Sequence, residues 1–301
     1  MAKFTAASLP SLRGKIYLVT GGNAGIGKAT VTALASHGAR VYMGARSVQK
    51  AEAAIKDIKA VASDADIRIL QLDLNNLSSV VAAAKKFKAS ETELHGLINN
   101  AGVMGTEFSM TADGFESQFQ VSAITPTQGA VRIVNVSSAG HNIFTLKEGV
   151  RLEDTSLKAE GSMTRYGQSK LANILHSKQL NQLYGTKRDV KAHPAEIWTA
   201  SVHPGTVSTE LLNKASGAGP HMVRQVATNV GSFLGLFVNE ATGALSSLWA
   251  AASPDFQRKD SGGYAVPPGK IGTSSAKSND MDLAARLWAW TEKALGDKGF
   301  L

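Results

Sequence analysis

The sequence contains no cysteine among its 301 residues. Disulfide bonds, zinc–thiolate sites and cysteine nucleophiles are therefore excluded, and we predict no metal site. A chain without cysteine is compatible with a reducing compartment, where disulfides rarely persist. We expect a cytoplasmic protein.

Long apolar stretches are also missing. A membrane-spanning helix needs about 18 or more consecutive apolar residues, and the chain has no such run. The N-terminal stretch MAKFTAASLPSLRGK lacks the apolar centre of a secretory signal. We therefore expect neither an integral membrane span nor a secretory signal.

Positive charge is in excess but is not clustered. The net charge is +8 at pH 7 and the pI is about 9.6, values that can mark a nucleic-acid-binding protein. Lysine and arginine are nevertheless scattered, with no cluster of five or six. We expect no nucleic-acid partner, and attribute the charge to a solvated surface and an anionic cofactor.

Apolar runs alternate with helical patterns six times along the chain. Runs such as KIYLVT (15–20) and VRIVNVSS (131–138) suit buried parallel strands, and SSVVAAAKKFKAS (78–90) has helical spacing. The hydrophobic content of 43% supports a sizeable core. The pattern predicts a single α/β domain over 1–301, a doubly wound parallel sheet of the Rossmann type.

Two C-terminal stretches fall outside this alternation. Residues 208–252 mix polar loop with apolar sequence and are predicted to form a substrate lid. Their apolar part, VGSFLGLFV (230–238), favours a hydrophobic substrate, although a plain packed lid explains it equally well. Residues 280–301 are predicted to form a C-terminal amphipathic helix and tail, in which Trp288 and Trp290 pack.

A glycine-rich motif, TGGNAGIG (20–27), lies directly between the first strand and the first helix. A plain tight turn would not need glycine at positions 21, 22, 25 and 27 together. Glycines at this point let the backbone approach a pyrophosphate, and the following helix N-terminus attracts its charge. The motif predicts a dinucleotide site.

The end of the second strand bears on which dinucleotide binds. An NAD enzyme places an acidic residue there to accept from the ribose hydroxyls. The sequence here is YMGARS, with Arg46 and no acid. Arg46 could be ordinary surface, but it can also pair with a 2′-phosphate. We predict NADP(H) as the cofactor.

Tyr166 and Lys170 are four residues apart in RYGQSK (165–170), at the start of a long helical pattern. Exposed i, i+4 polar pairs are common and contribute only about 0.2–0.5 kcal/mol. A nearby ammonium would however lower the pKa of a tyrosine, which is otherwise a poor acid or base at neutral pH. The pair is therefore a candidate for proton transfer.

Six ordered motifs resemble those of the short-chain dehydrogenase/reductase family, and the resemblance covers nearly the whole chain. They are TGGNAGIG (20–27), LDL (72–74), NNAG (99–102), VNVSS (134–138), YGQSK (166–170) and HPGTVST (203–209). NNAGVM and YGQSKLANILH are similar to the retinol-dehydrogenase-like and WW-domain-oxidoreductase-like branch, and the tail SGGYAVPPGK to its fungal members. The resemblance implies a carbonyl–alcohol oxidoreductase acting on a small molecule.

The resemblance assigns roles to individual residues. It implies that Ser138 polarises the substrate oxygen, that Tyr166 transfers the proton and that Lys170 holds the nicotinamide ribose. Asp73 would bind the adenine, and Val207 and Thr209 would hold the carboxamide. With the glycine motif and Arg46, the predicted cofactor-binding residues are Gly21, Asn23, Gly25, Ile26, Gly27, Arg46, Asp73, Leu74, Asn99, Ala101, Gly102, Tyr166, Lys170, Pro204, Gly205, Val207 and Thr209.

One stretch departs from the family pattern. After GFESQFQV the family has an asparagine, which anchors a proton-conducting water chain, and then a long helix. Here Ser122 takes that position, and Pro126 follows in AITPTQGA. We expect a helix shortened by roughly three turns, with an apolar sheet face left exposed. The family's dimer interface would then be truncated, although a homodimer stays open.

The departure leaves three explanations open. The chain is a splice or gene-model product, a genuine but weakened enzyme, or an NADP(H)-binding protein without turnover.

Overall fold

An eight-stranded sheet forms the centre of the described part of the protein. The structure is a computed structural model, which describes residues 3–123, 130–186, 188–189, 191, 196–207 and 238–301. The strands are Ile16–Thr20 (β1), Arg40–Ala45 (β2), Asp66–Gln71 (β3), Leu94–Asn99 (β4), Ala130–Val136 (β5), Trp198–Val202 (β6), Gly263–Val266 (β7) and Lys270–Ile271 (β8).

Helices flank both faces of this sheet. In the described residues they are Gly25–Ser36 (α1), Val48–Val61 (α2), Leu77–Ser90 (α3), Ser117–Ala123 (α4), Gly140–Ile143 (α5), Ser162–Tyr184 (α6), Glu240–Ala252 (α7) and Met281–Gly296 (α8). Short 3₁₀ turns occupy Ala6–Ser8, Arg258–Asp260 and Lys277–Asn279. No helix of the described residues is long and apolar enough to cross a membrane.

The strand order is β3-β2-β1-β4-β5-β6-β7-β8. Strands β1 to β7 pair in parallel, and β8 is antiparallel to β7. The predicted doubly wound parallel sheet is confirmed. The order reverses between β1 and β4, and ligands bind at the carboxyl ends of the strands beside such a reversal.

The hairpin formed by β7 and β8 was not predicted. Its strands have four and two residues, too few for a periodic pattern. The turn between them contains Pro267, Pro268 and Gly269, and Gly269 has φ +104°. Proline followed by a glycine in the left-handed conformation is typical of a tight turn, so these residues indicate the turn in the sequence itself.

Helix α7 belongs to the core. Leu248, Ala244 and Ala250 of this helix are buried in one cluster with Val31 and Leu34 of α1. The last part of the predicted lid (208–252) is thus a helix packed on α1 and on the sheet. Residues 208–237, the rest of that prediction, lie outside the described residues.

The structure describes seven residues of helix α4. Residues 124–129, including Pro126, lie outside the described part, as does the side chain of Ser122, so the shortening of this helix stays a prediction. The expected exposure of the apolar sheet face was wrong at two positions. Leu97 and Ile133 are buried in a cluster with Leu180, against which Trp288 packs.

Helix α8 packs on α6 through aromatic rings. Trp290 meets Phe115 and Phe119 edge-on, with ring centroids 6.0 and 5.8 Å apart. Trp288 stacks on His176 of α6, with centroids 5.2 Å apart and planes at 25°. Both tryptophans pack, as predicted from the amphipathic pattern.

The stacked pair predicts a loss of stability in acid. Burial lowers the pKa of His176 to about 4, whereas an unfolded histidine has a pKa of about 6.5. The stabilisation by the neutral ring is therefore complete above about pH 6.5 and is lost as the pH falls towards 4. The free energy of unfolding should fall by at most about 1.4 kcal/mol per pH unit in this window, less solvent screening of the half-buried ring.

Urea unfolding of the wild type and of His176→Phe at about pH 7 and about pH 5 checks this prediction. The phenyl ring retains the stacking but cannot bind a proton, so the variant should lose less stability between the two pH values. An equal loss in both proteins would contradict it.

Candidate active site

The turn between β1 and α1 brings two backbone segments unusually close. Gly21 and Gly25 adopt left-handed conformations, with φ +64° and +55°. A Cβ on Gly27 would lie 2.2 Å from the carbonyl oxygen of Gly21 and 2.5 Å from Nδ2 of Asn100. Only glycine therefore fits at the start of α1.

The N-terminus of α1 has no side-chain cap. Ala24 occupies the N-cap position without a side-chain hydrogen bond. Side chains cap four other helices of the described part, namely those of Ser47, Asn76, Asn239 and Asp280. The first N–H groups of α1 thus face the turn without a side-chain acceptor, an arrangement that fits a dinucleotide pyrophosphate. Asn23 and Ile26 are half-buried in this turn.

Two residues that sequence reasoning missed hold the turn against β4. Asn100 Nδ2 donates to the carbonyl oxygen of Thr20 at 2.9 Å, and Thr20 Oγ1 accepts from the N–H of Ala101 at 3.0 Å. A Cβ on Gly21 would lie 3.1 Å from Cα of Ala101. The NNAG motif thus positions the glycine turn, and Ala101 and Gly102 line its rim half-buried.

Asn99 lies within the sheet. Its Nδ2 donates to Oδ1 of Asn135 at 2.8 Å, and Asn135 Nδ2 donates to Oγ of Ser177 on α6 at 2.9 Å. Oδ1 of Asn99 is buried without a hydrogen-bond partner. Asn99 therefore connects β4 with β5 and α6, and its predicted cofactor contact stays a prediction.

The end of β2 lies beside the glycine turn. The N–H of Gly22 donates to the carbonyl oxygen of Gly44 at 3.2 Å. Arg46, two residues further, is exposed. Across the described ranges no ion pair or side-chain hydrogen bond involves Arg46. The guanidinium is therefore available to an anionic ligand at this edge.

Asp73 and Leu74 follow β3 at the same edge of the sheet. Asp73 Oδ1 accepts from the N–H of Asn75 at 3.0 Å, which orients the carboxylate, and Leu74 is buried. Sequence reasoning placed both at the adenine end of the cofactor. Their position after β3, which pairs with β2, is compatible with that role.

Ser138, Tyr166 and Lys170 come together where β5 ends against α6. Ser138 is half-buried just after β5, and Tyr166 and Lys170 are buried on α6. The side chain of Ser138 lies close enough to the Tyr166 phenol to lower its pKa. Lys170 Nζ lies 5.6 Å from the centroid of the Tyr166 ring and donates to the carbonyl oxygen of Val136 at 3.2 Å.

Burial governs the protonation of Tyr166 and Lys170. It raises the pKa of Tyr166, and the side chain of Ser138 opposes that rise. It lowers the pKa of Lys170 to about 8. In the protein alone, then, the pKa of Tyr166 is raised by desolvation rather than lowered by Lys170 as expected.

Glycine also permits a close contact at the end of β6. Pro204 is followed by Gly205 with φ +86°, which turns the chain. A Cβ on Gly243 of α7 would lie 2.7 Å from Cγ2 of Val207 and 3.2 Å from Cγ1 of Ile26. Val207 and Ile26, both predicted cofactor contacts, therefore meet above α7. Thr209 lies outside the described residues.

The chain resembles known proteins over its whole length. The model of the short chain dehydrogenase family matches residues 15–218. The short-chain dehydrogenase/reductase drtF of Aspergillus calidoustus is 48% identical over 321 aligned positions that cover 100% of both chains. Human retinol dehydrogenase 11 is 39% identical over 225 positions, which cover 69% of this chain and 66% of the human protein.

Solved structures agree with the sequence relatives. The crystal structure of an uncharacterised protein from Mycobacterium paratuberculosis superposes with a TM-score of 0.73 at 28% identity, covering 97% of each chain.

Because Gly27 lies so close to Gly21 and Asn100, we predict that one methyl group added at Gly27 disrupts the turn. Gly27→Ala would force the backbone away from Gly21 and Asn100. We expect a loss of about 1–3 kcal/mol in stability, the usual cost of overpacking, and loss of dinucleotide binding in a fluorescence titration with NADPH. Gly296→Ala is the matched control, because no atom lies within 4 Å of its added Cβ. Binding by Gly27→Ala at wild-type strength would contradict this account of the turn.

Proposed function

The chain belongs to the short-chain dehydrogenase/reductase family, and from that premise we propose that it is an NADP(H)-dependent oxidoreductase. It interconverts a carbonyl and an alcohol on a small hydrophobic substrate. One observation supports this above the others: Ser138, Tyr166 and Lys170 lie together beyond the end of β5, with Lys170 Nζ 5.6 Å from the centroid of the Tyr166 ring, near the reversal point of the sheet.

The protein contributes hydrogen bonds and a proton. A bound nicotinamide would supply hydride exchange with the substrate carbon. In reduction, Ser138 and Tyr166 donate hydrogen bonds to the substrate oxygen, where negative charge develops. Tyr166 then gives that oxygen its proton, and in the oxidation direction it takes the proton back. Lys170 holds the nicotinamide ribose and places a cation beside the phenol.

The cofactor preference follows from the edge formed by β2. No acidic residue is present from Gly44 to Ser47, so a ribose 2′-hydroxyl has no carboxylate to bind there. Arg46 offers an exposed guanidinium, whose planar donors match a phosphate. These features support NADP(H) over NAD(H).

The substrate class follows from the surface beside Ser138. Ile143 and Phe144, at the end of α5, are 67% and 37% exposed. Phe144 packs on Gly167, whose added Cβ would lie 2.9 Å from Cβ of Phe144, next to Tyr166. An apolar rim at the proton donor favours a hydrophobic alcohol or carbonyl. The relative named as a retinol dehydrogenase supports the same class.

A second candidate function is NADP(H) binding with weak or no turnover. Ser122 stands where the family has an asparagine, and Pro126 follows four residues later. The alignment with drtF spans 321 positions against 301 residues here, so about 20 aligned positions have no residue in this chain. Proton exchange with solvent would then be slow even where the cofactor binds.

Arg46→Gln tests the cofactor preference. Loss of a charge-assisted hydrogen bond costs about 1.5–3 kcal/mol, so the Kd for NADPH should rise by about 10- to 100-fold while that for NADH changes little. Lys50→Gln removes an exposed cation one turn further along and serves as the control. Equal effects of Arg46→Gln on both cofactors would count against the phosphate contact.

Tyr166→Phe separates the two candidate functions. With a panel of hydrophobic aldehydes and ketones, the wild type should oxidise NADPH, and the variant should lose at least about 100-fold in kcat because the proton donor is gone. Its Kd for NADPH should stay within about twofold of the wild type. Tyr184→Phe, the same change at the far end of α6, is the control. No turnover by the wild type, with tight NADPH binding, would favour the binding protein.

A further inference from the structure

A buried histidine joins the serine of the proposed site to a C-terminal segment. His141 lies three residues after Ser138 and is 3% exposed. Its Nδ1 is 2.6 Å from the carbonyl oxygen of Ser138, and its Nε2 is 3.1 Å from the backbone nitrogen of Ser275. The ring thus joins Ser138 to Ser275, which lies 134 positions beyond His141 in the sequence.

The two contacts fix the tautomer of His141. The backbone N–H of Ser275 can only donate, so Nε2 must accept and carries no proton. The proton then lies on Nδ1, which donates to the carbonyl oxygen of Ser138. Burial lowers the pKa of His141, although the bond to Ser138 opposes this, and so favours the neutral ring. Each ring nitrogen therefore has one suitable partner.

The bond restricts the orientation of Ser138. Its carbonyl oxygen also accepts from the backbone N–H of His141 at 3.1 Å, and its Oγ accepts from the N–H of Gly140 at 3.1 Å. Gly140 in turn lies against the phenol, since an added Cβ would be 3.0 Å from Cε1 of Tyr166. Ser138 is thus held at both its carbonyl oxygen and its Oγ, in a segment that lies against the Tyr166 ring.

The segment that carries Ser275 is held independently of His141. Lys277 Nζ donates to the carbonyl oxygen of Leu146 at 2.7 Å, and Ser278 Oγ donates to that of Ser275 at 2.6 Å. The ring of Tyr264 packs edge-on against His141, with centroids 5.1 Å apart. The Ser275 N–H is therefore a fixed donor to which the histidine ring must adapt.

We propose that His141 is a positioning residue, which holds Ser138 Oγ towards the substrate oxygen in a tautomer selected by the backbone N–H of Ser275. The inference rests on the proposed function, in which Ser138 donates to that oxygen. It also makes the C-terminal segment that carries Ser275 part of the site.

Two variants, each of which retains the polar group at one ring position, test the two hydrogen bonds of His141 separately. His141→Asn places an amide N–H near the position of Nδ1 and retains a donor to Ser138. His141→Gln reaches the position of Nε2 and retains an acceptor for Ser275, but leaves the Ser138 carbonyl without its side-chain donor. His37→Gln, at the C-terminal end of α1, is the control for a histidine away from the site.

We expect kcat of His141→Gln to fall by at least about tenfold, because Ser138 would be less well oriented. Complete loss of a hydrogen-bond donor to a developing oxyanion, the role proposed for Ser138, costs about 100- to 1000-fold. KM for the carbonyl substrate and Kd for NADPH should stay within about twofold. His141→Asn should recover most of the lost kcat. Unchanged kcat in His141→Gln, or equal losses in both variants together with a lowered Tm, would overturn the proposal.

Hydrogen exchange supplies a readout that does not depend on turnover. The amides of Gly140 and His141 are protected through Ser138, so a peptide covering 137–144 should exchange faster in His141→Gln than in His141→Asn or the wild type. Absence of turnover by the wild type would contradict the proposed function. The exchange rates would still test whether His141 restrains Ser138 through the hydrogen bond to its carbonyl oxygen. Identical exchange in all three proteins would overturn the positioning role.

Discussion

The whole site depends on how a largely polar helix is fixed to the sheet. Helix α6 is buried along most of its length, and polar side chains occupy many of its buried positions. Buried polar groups are costly unless they are hydrogen-bonded. Here Asn135 donates to Ser177, Ser137 donates to the carbonyl oxygen of Lys170 at 2.7 Å, and Thr199 donates to that of Ser177 at 2.8 Å. These bonds fix the position of α6 on the sheet and its rotation about its own axis. They therefore fix the positions of Tyr166 and Lys170.

This attachment explains why the position of α6 depends on the sheet more than on α4. The hydrogen bonds that fix α6 come from β5 and β6. Helix α4 adds contacts at the N-terminal end of α6 through polar side chains, since Gln118 Nε2 donates to the carbonyl oxygen of Ser162 at 3.3 Å. The pair of Glu116 and Arg165, buried with Oε1 and Nε 3.6 Å apart, lies at the same junction. The described residues of α4 thus contact the part of α6 that carries Tyr166, the proposed proton donor.

Much of the fold could be predicted from the sequence because its signals are local. The six predicted strands and the glycine turn are each marked by an apolar run or by residues that permit one backbone path. The hairpin of β7 and β8 was missed because strands of four and two residues are too short to show a hydrophobic period. Helix α7 was assigned to a lid because its apolar sequence alone does not show what it packs on. Asn100 and His141 were missed because their roles lie in contacts with Thr20 and Ser275, far away in sequence.

The two ends of the sheet restrict how copies of the chain could meet. At one end, β8 offers only two residues beyond β7, too few to template another strand. At the other end, β3 carries Asp66 and Arg68, which form ion pairs with Arg40 and Glu91. A strand added there would have to desolvate these charges. Edge-to-edge growth of the sheet is therefore disfavoured in the described part of the chain, which leaves the helical faces as the surfaces for self-association.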